Sequence, residues 1–248
     1  IGYEHVMEVS SYLKELKGTD KKKESFFQVF SAVRKLKNYG NGFLNFGDPI
    51  NLSNFLDGEV PDWRDAQNLE PDKKPRWLTP AVNTLANDVM GRINQAAAVS
   101  GMSLCAMCLL SAKKHAMAQD ELERAIDDYL GLLKAAPYSE LSSIPELDGK
   151  ALVESTLKLN KLEVSQDSFG TIISLKRKNA VALTYYRNNI LHLFALPGLV
   201  SAIVFAHKGL AKQHVIALVG QLYPLLQREL FIYMSHEEAM DYTDRLLS

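Results

Sequence analysis

LEVSQDSFGTIISL, residues 162–175, is the stretch that separates this fold from an all-helical array. Leu162 and Val164 alternate with polar residues, Gln166 to Gly170 carries turn chemistry, and Thr171, Ile172 and Ile173 form a β-branched run. That order predicts a β-hairpin. Everything around it reads as helix. Upstream, Thr79-Pro80 predicts a helix start, because threonine can cap and proline suits the first helical position. Val82, Leu85, Ala86, Val89, Met90 and Ile93 then give a predicted buried stripe. Three more helices follow at roughly 102–117, 120–135 and 149–160. Downstream, helices are expected at about 180–194, 197–207 and 212–233, with another at the end of the chain.

Helix, helix, helix, hairpin resembles a winged-helix module. A DNA-reading version would need a basic recognition helix. Gly149 to Asn160 holds only Lys150 and Lys158 against Glu154, so no nucleic-acid partner is expected.

The beginning of the chain reads differently. Ile1-Gly2-Tyr3 looks like the tail of a strand, Glu15 to Ser25 like a charged loop, and Phe26, Val29, Phe30, Val33 and Leu36 recur at helical spacing. Gly40-Asn41-Gly42 ends that helix, and Phe43-Leu44-Asn45-Phe46 predicts a short strand. Strand, helix, strand favours a piece of an α/β layer. Residues 56–78 are mostly polar, with three prolines and two tryptophans, and read as a linking segment. The expected division is therefore 1–55, 56–78 and 79–248. Both ends read as cuts through structure, so the chain is expected to be a fragment.

Composition bounds the possibilities. The chain has 248 residues, 47% hydrophobic and 23% charged, with a formal net charge of -1. There is ample apolar mass for a core, and no long-range pull toward polyanions. Two cysteines make no disulfide scaffold. The longest apolar stretch, Ile190 to Ala206, is interrupted by His192 and Pro197 and is short for a membrane span. It reads as a buried helix pair bent at Pro197, with a membrane-surface helix as the next choice.

No short motif supplies a complete catalytic set. Cys105-Ala106-Met107-Cys108 has C-x-x-C spacing but sits in an apolar helical run, where inert core thiols are expected. With His115 as the nearest further ligand, no metal site is expected. Two segments match H-x-x-x-x-D, His115 to Asp120 and His236 to Asp241. Asp120 is expected to cap a helix with Glu123, and Ser235 with Glu238 forms a capping box that puts His236 at the first helical position. A five-residue offset on a helix turns two side chains about 140° apart, so the carboxylate misses the imidazole. Arg187 with His192 could bind a phosphate or headgroup, or belong to an ordinary amphipathic helix. Lys21-Lys22-Lys23 could be a phosphate site or a solvated loop.

Longer strings carry more. IGYEHVMEV, KELKGTDKKKES, NFGDP, VPDWR and WLTPAVN resemble the stretch just after the third catalytic block of bacterial membrane-bound glycerol-3-phosphate acyltransferases. INQAAAVSGMSLCAM, TYYRNNILHLFALP and LYPLLQRELF resemble the long C-terminal region of that family. The resemblance implies an α/β acyltransferase remnant followed by a mostly α-helical region with a β-hairpin. It implies transfer of an acyl chain from acyl-CoA or acyl-carrier protein to the sn-1 hydroxyl of glycerol 3-phosphate, giving lysophosphatidic acid. A histidine oriented by an aspartate would act as general base. That pair and the phosphate-binding arginines are expected upstream of Ile1. No cofactor is implied. The expected place of work is the cytoplasmic face of the bacterial inner membrane, as a peripheral protein on the membrane surface. Of the site, only Gly2, Tyr3 and Glu4 remain as candidates for lining it, or they merely finish a core strand. The rival expectation is a non-catalytic, winged-helix-like regulatory module that docks a partner or a membrane.

Overall fold

A computed structural model describes residues 43–65, 74–168, 170–176 and 179–248. The elements are α1 (Leu52–Glu59), α2 (Leu78–Gln95), α3 (Gly101–Ser111), β1 (Ala116–Ala118), α4 (Gln119–Ala135), α5 (Gly149–Leu157), β2 (Leu162–Asp167), β3 (Gly170–Leu175) and α6 (Ala180–Asn188). A 3-10 turn at Leu191–Phe194 leads into α7 (Ala195–Ala206), α8 (Lys212–Leu230) and α9 (His236–Leu246). Two compact units share the chain. One is built on Ala98–Tyr138 and Ser142–Leu193, the other on Phe46–Ala97, Ser139–Leu141 and Phe194–Ser248.

In the first unit the predicted hairpin forms where its turn chemistry falls. β2 pairs antiparallel with β3 from Leu162↔Leu175 to Asp167↔Gly170. Gly170 takes a φ of 132°, and its amide donates to Asp167 Oδ1 at 3.1 Å. The sheet has a third strand that sequence reasoning assigned to helix. Helix α3 stops at Ser111, and Ala116–Ala118 pairs with Ser174–Ile172, giving the order β1-β3-β2. Three residues are too few for an alternation to register.

The helices of this unit are set by their caps. Ser100 and Ser103 form a reciprocal capping box at the start of α3. Asp148 Oδ1 accepts from the Ala151 amide at 2.8 Å at the start of α5. Leu104, Cys105, Leu109, Leu122, Ile126, Val153 and Ile173 are fully excluded from solvent and form the core. Each such aliphatic side chain contributes about 1.5–3 kcal/mol by burial.

In the second unit, α8 presents Val215, Val219 and Tyr223 at four-residue spacing, and α9 presents Ala239, Tyr242 and Thr243. Helix α8 packs against both α7 and α9. The Ser235–Glu238 capping box is present, as the sequence predicts.

Three local expectations are corrected. Phe43–Phe46 forms no strand; Leu44 and Phe46 are 78% and 83% exposed. Helix α2 begins at Leu78 with no side-chain cap from Thr79, because Trp77 occupies the cap position. Its apolar stripe is not the buried face: Val82, Val89 and Ile93 are exposed, while Ala81 and Gly91 are buried. The buried face is the one that meets the segment around Tyr233. A Cβ on Gly91 would stand 3.5 Å from the Tyr233 Cβ, ordinary contact distance. The predicted strand tail at Ile1-Gly2-Tyr3, the charged loop from Glu15 to Ser25 with its triple lysine, and the predicted apolar helix from Phe26 to Leu36 lie outside the described residues.

Candidate functional site

Each sequence-level candidate has a definite place. Cys105 and Cys108 are buried in α3, and burial pushes both thiols up to about 12. Such groups do not ionise near neutrality and are not nucleophiles.

Neither H-x-x-x-x-D pair is brought together. His115 occupies a turn with a φ of 52°, and its Nδ1 lies 3.2 Å from the Leu109 carbonyl oxygen. Asp120 is within the first turn of α4, not at its cap as expected, and binds Arg124 at 3.0 Å. Gln119 instead donates to Glu123 at 2.7 Å, which removes Glu123 from the expected reciprocal cap. His236 opens α9, and its Nε2 lies 3.2 Å from the Gly220 carbonyl oxygen. Arg187 and His192 also part company. Arg187 holds Asn188 Oδ1 at 2.9 and 3.1 Å, while His192 is buried edge-on to Tyr138 with ring centres 5.2 Å apart.

One feature of the second unit escaped sequence reasoning. A cleft of about 770 Å³ lies between α2, the end of α8 and the turn that follows it. Arg92 forms one wall, held by Asp88 at 3.0 Å and by the Asp48 carbonyl oxygen at 3.1 Å. Asn94 ties α2 to the turn by donating to the carbonyl oxygens of Leu230 and Phe231 at 2.8 and 3.1 Å. Gln227 and the Tyr223 hydroxyl both donate to the Met234 carbonyl oxygen. Phe231 closes α8 in the left-handed region, at a φ of 50°. Burial raises the Tyr233 phenol, with the Glu238 carboxylate adding to the effect, so it remains a donor. The cleft is polar and can hold a hydrogen-bonding solute. It contains no base aligned with a nucleophile. Its residues come from segments far apart in sequence, and no local spacing announces them.

Among the described residues no group of three or more His, Cys, Asp or Glu side chains could hold a metal ion. Among the described residues no single helix is long and apolar enough to cross a membrane; Ala180–Asn188 and Leu191–Ala206 pass on length and composition only when taken together across their break.

A family model described as the glycerol-3-phosphate acyltransferase C-terminal region matches residues 12–248. The chain belongs to that family. A glycerol-3-phosphate acyltransferase of Pseudoalteromonas atlantica is 96% identical over all 248 residues. Those of Alteromonas mediterranea and Aeromonas hydrophila are 57% and 49% identical over the same span. The chain spans only 30–31% of the length of these relatives. The candidates Gly2, Tyr3 and Glu4 precede the matched span and lie outside the described residues.

Proposed function

We propose that this chain is part of a glycerol-3-phosphate 1-O-acyltransferase. The intact enzyme would move an acyl chain from acyl-CoA or acyl-carrier protein to the sn-1 hydroxyl of glycerol 3-phosphate. The product would be lysophosphatidic acid, the entry to phospholipid synthesis. Identity of 96% over the whole chain to a glycerol-3-phosphate acyltransferase supports the acyltransferase reading; the sn-1 position follows from the family resemblance.

The chemistry requires a base that takes the hydroxyl proton as the hydroxyl attacks the thioester carbonyl. In the described residues His115, Asp120 and His236 of the two histidine–aspartate spacings are already committed to other partners. The catalytic pair is therefore assigned to the part of the enzyme beyond this chain. Residues 1–55 are assigned to the end of the α/β acyltransferase domain, and Gly2, Tyr3 and Glu4 to its substrate-lining edge. The enzyme would work as a peripheral protein on the cytoplasmic face of the inner membrane.

The order α3-β1-α4-α5-β2-β3, with sheet order β1-β3-β2, supports a winged-helix-like reading of the first unit. Such a unit would serve the enzyme as a docking module rather than as a reaction site.

The test uses the intact Pseudoalteromonas relative. Glycerol-3-phosphate-dependent release of CoA from acyl-CoA should be measurable and should yield the 1-acyl product. Release that proceeds without glycerol 3-phosphate, or a 2-acyl product, overturns the assignment.

A further inference from the structure

The two tryptophans of this chain differ in what their N–H groups meet. Trp63 lies in the turn after α1, and its Nε1 donates to Asp57 Oδ1 at 2.8 Å. Trp77 stands at the start of α2. Its Nε1 is buried and finds no acceptor among the described residues. A buried donor without an acceptor is rare and unfavourable, because folding strips its water and returns no bond. The Trp77 indole belongs to the wall of a cavity of about 490 Å³ in the second unit, between the end of α1 and the first turns of α2. That volume suits a small ligand or a short piece of peptide.

Local turns build the rest of the cavity. Helix α1 ends at Glu59, where the Val60 amide donates to the Leu56 carbonyl oxygen at 2.8 Å. The Trp63 amide then donates to the Val60 carbonyl oxygen at 2.9 Å, closing a turn that carries Pro61 and Asp62. Glu59 and Asp62 both line the cavity, and both are exposed. Neither carboxylate has an ion pair or hydrogen bond among the described residues. Asp57, two residues before Glu59, is by contrast taken by Arg64 and Trp63. Pro61, Pro80 and Ala81 supply apolar wall. Lys74 and Arg76 come shortly before Trp77 but do not line the cavity, and Arg64 is engaged by Asp57. The lining therefore holds two carboxylates and no cation.

We propose that this cavity binds a basic peptide segment, with Trp77, Glu59 and Asp62 as its recognising residues. The indole N–H needs an acceptor, and two carboxylates in the same lining repel an anionic one, so the acceptor is a neutral carbonyl. The carboxylates need a cation. A lysine or arginine within a peptide carries both groups, a backbone carbonyl and a charged end, joined by an aliphatic stem that can lie along Pro61 and Pro80. The face of an indole also attracts a passing cation. A metal ion alone would leave the N–H unmet, and a phosphate or carboxylate would meet two charges of its own sign. The acyl transfer uses none of these residues, so the site stands apart from the reaction.

Fluorescence anisotropy of a labelled lysine–alanine peptide, blocked at both ends, tests this on the 248-residue chain. The wild-type chain binds it, more weakly as salt rises, and does not bind the matching glutamate–alanine peptide. Trp77→Phe keeps an aromatic ring but removes the N–H, and weakens binding about fivefold. Glu59→Gln combined with Asp62→Asn weakens it about tenfold. Glu154→Gln, exposed on the first unit, changes nothing. Circular-dichroism melts verify folding; should Trp77→Phe melt early, the double variant at two exposed positions carries the test. A wild-type chain that binds neither peptide, or both alike, overturns the proposal. So does full affinity in the folded double variant or in folded Trp77→Phe. Ethylamine that displaces the lysine peptide at equal concentration makes the cavity a site for small cations, and overturns the peptide assignment.

Discussion

The Nε2 of His236 lies 3.2 Å from the carbonyl oxygen of Gly220, the acceptor that Pro224 leaves open. Proline has no N–H to give to the carbonyl four residues before it. The imidazole of α9 fills that gap in α8, and this explains why a histidine occupies the first position of α9. The residue that best imitates a catalytic motif is thus a repair of a helix. His236→Ala should lower stability by about 0.5–1 kcal/mol, since the bond is exposed and water takes the carbonyl oxygen in its place. A urea midpoint that does not move would contradict this.

Gly149 is held by close approach. Its amide donates to Asp127 Oδ1 at 2.6 Å, and a Cβ there would stand 2.1 Å from the Glu123 carbonyl oxygen. Backbone entropy alone would favour alanine by about 0.5–1 kcal/mol. The contact with α4 backbone reverses that sign. Gly149→Ala should destabilise by about 2 kcal/mol or more, measured by chemical denaturation. A stabilised variant would show that α5 can shift away from α4 without loss.

Stability should fall in alkali. Burial raises Cys105 and Cys108 to about 12 from 9.0, and Tyr223 and Tyr242 to about 12 from 10.0. Above pH 9 the unfolded chain loses these protons first, so unfolding releases protons and rising pH favours it. Stability is full below the unfolded values and is lost progressively between pH 9 and 12. Denaturation midpoints at about pH 8 and about pH 10 should decrease in that order. Ellman's reagent should meanwhile leave both thiols unmodified until the chain unfolds.

The Ser235 cap offers a smaller test. Its hydroxyl accepts from the Glu238 amide at 3.2 Å, and its own amide donates to Glu238 Oε2 at 2.7 Å. The donated bonds hold the Glu238 carboxyl below its ordinary value. A depressed carboxyl stabilises above its unfolded value of 4.5, and that contribution is lost as pH falls through the folded value. Ser235→Ala should cost about 1 kcal/mol at neutral pH and less in acid. Equal losses at both would separate the cap from Glu238.

The hairpin, the capping box at Ser235 and the helical remainder were legible because each is written in local chemistry. β1 was not, since Ala116–Ala118 becomes a strand only by pairing with β3. The stripe on α2 misled because periodicity reports which residues could share a face, while Gly91 against Tyr233 fixes which face is used. The cleft walled by Arg92 was invisible for the same reason: α2 and the turn at Phe231 meet only in the folded unit. The family was legible in long strings such as TYYRNNILHLFALP, far more specific than any spaced pair of residues.

The most direct measurement is thioester release by the purified 248-residue chain, given acyl-CoA and glycerol 3-phosphate. With His115 and His236 both held on backbone carbonyl oxygens, CoA release should not rise above the protein-free rate, while the intact Pseudoalteromonas relative turns over. Turnover by the chain that requires glycerol 3-phosphate and disappears in His115→Ala or His236→Ala would contradict the assignment of the base elsewhere.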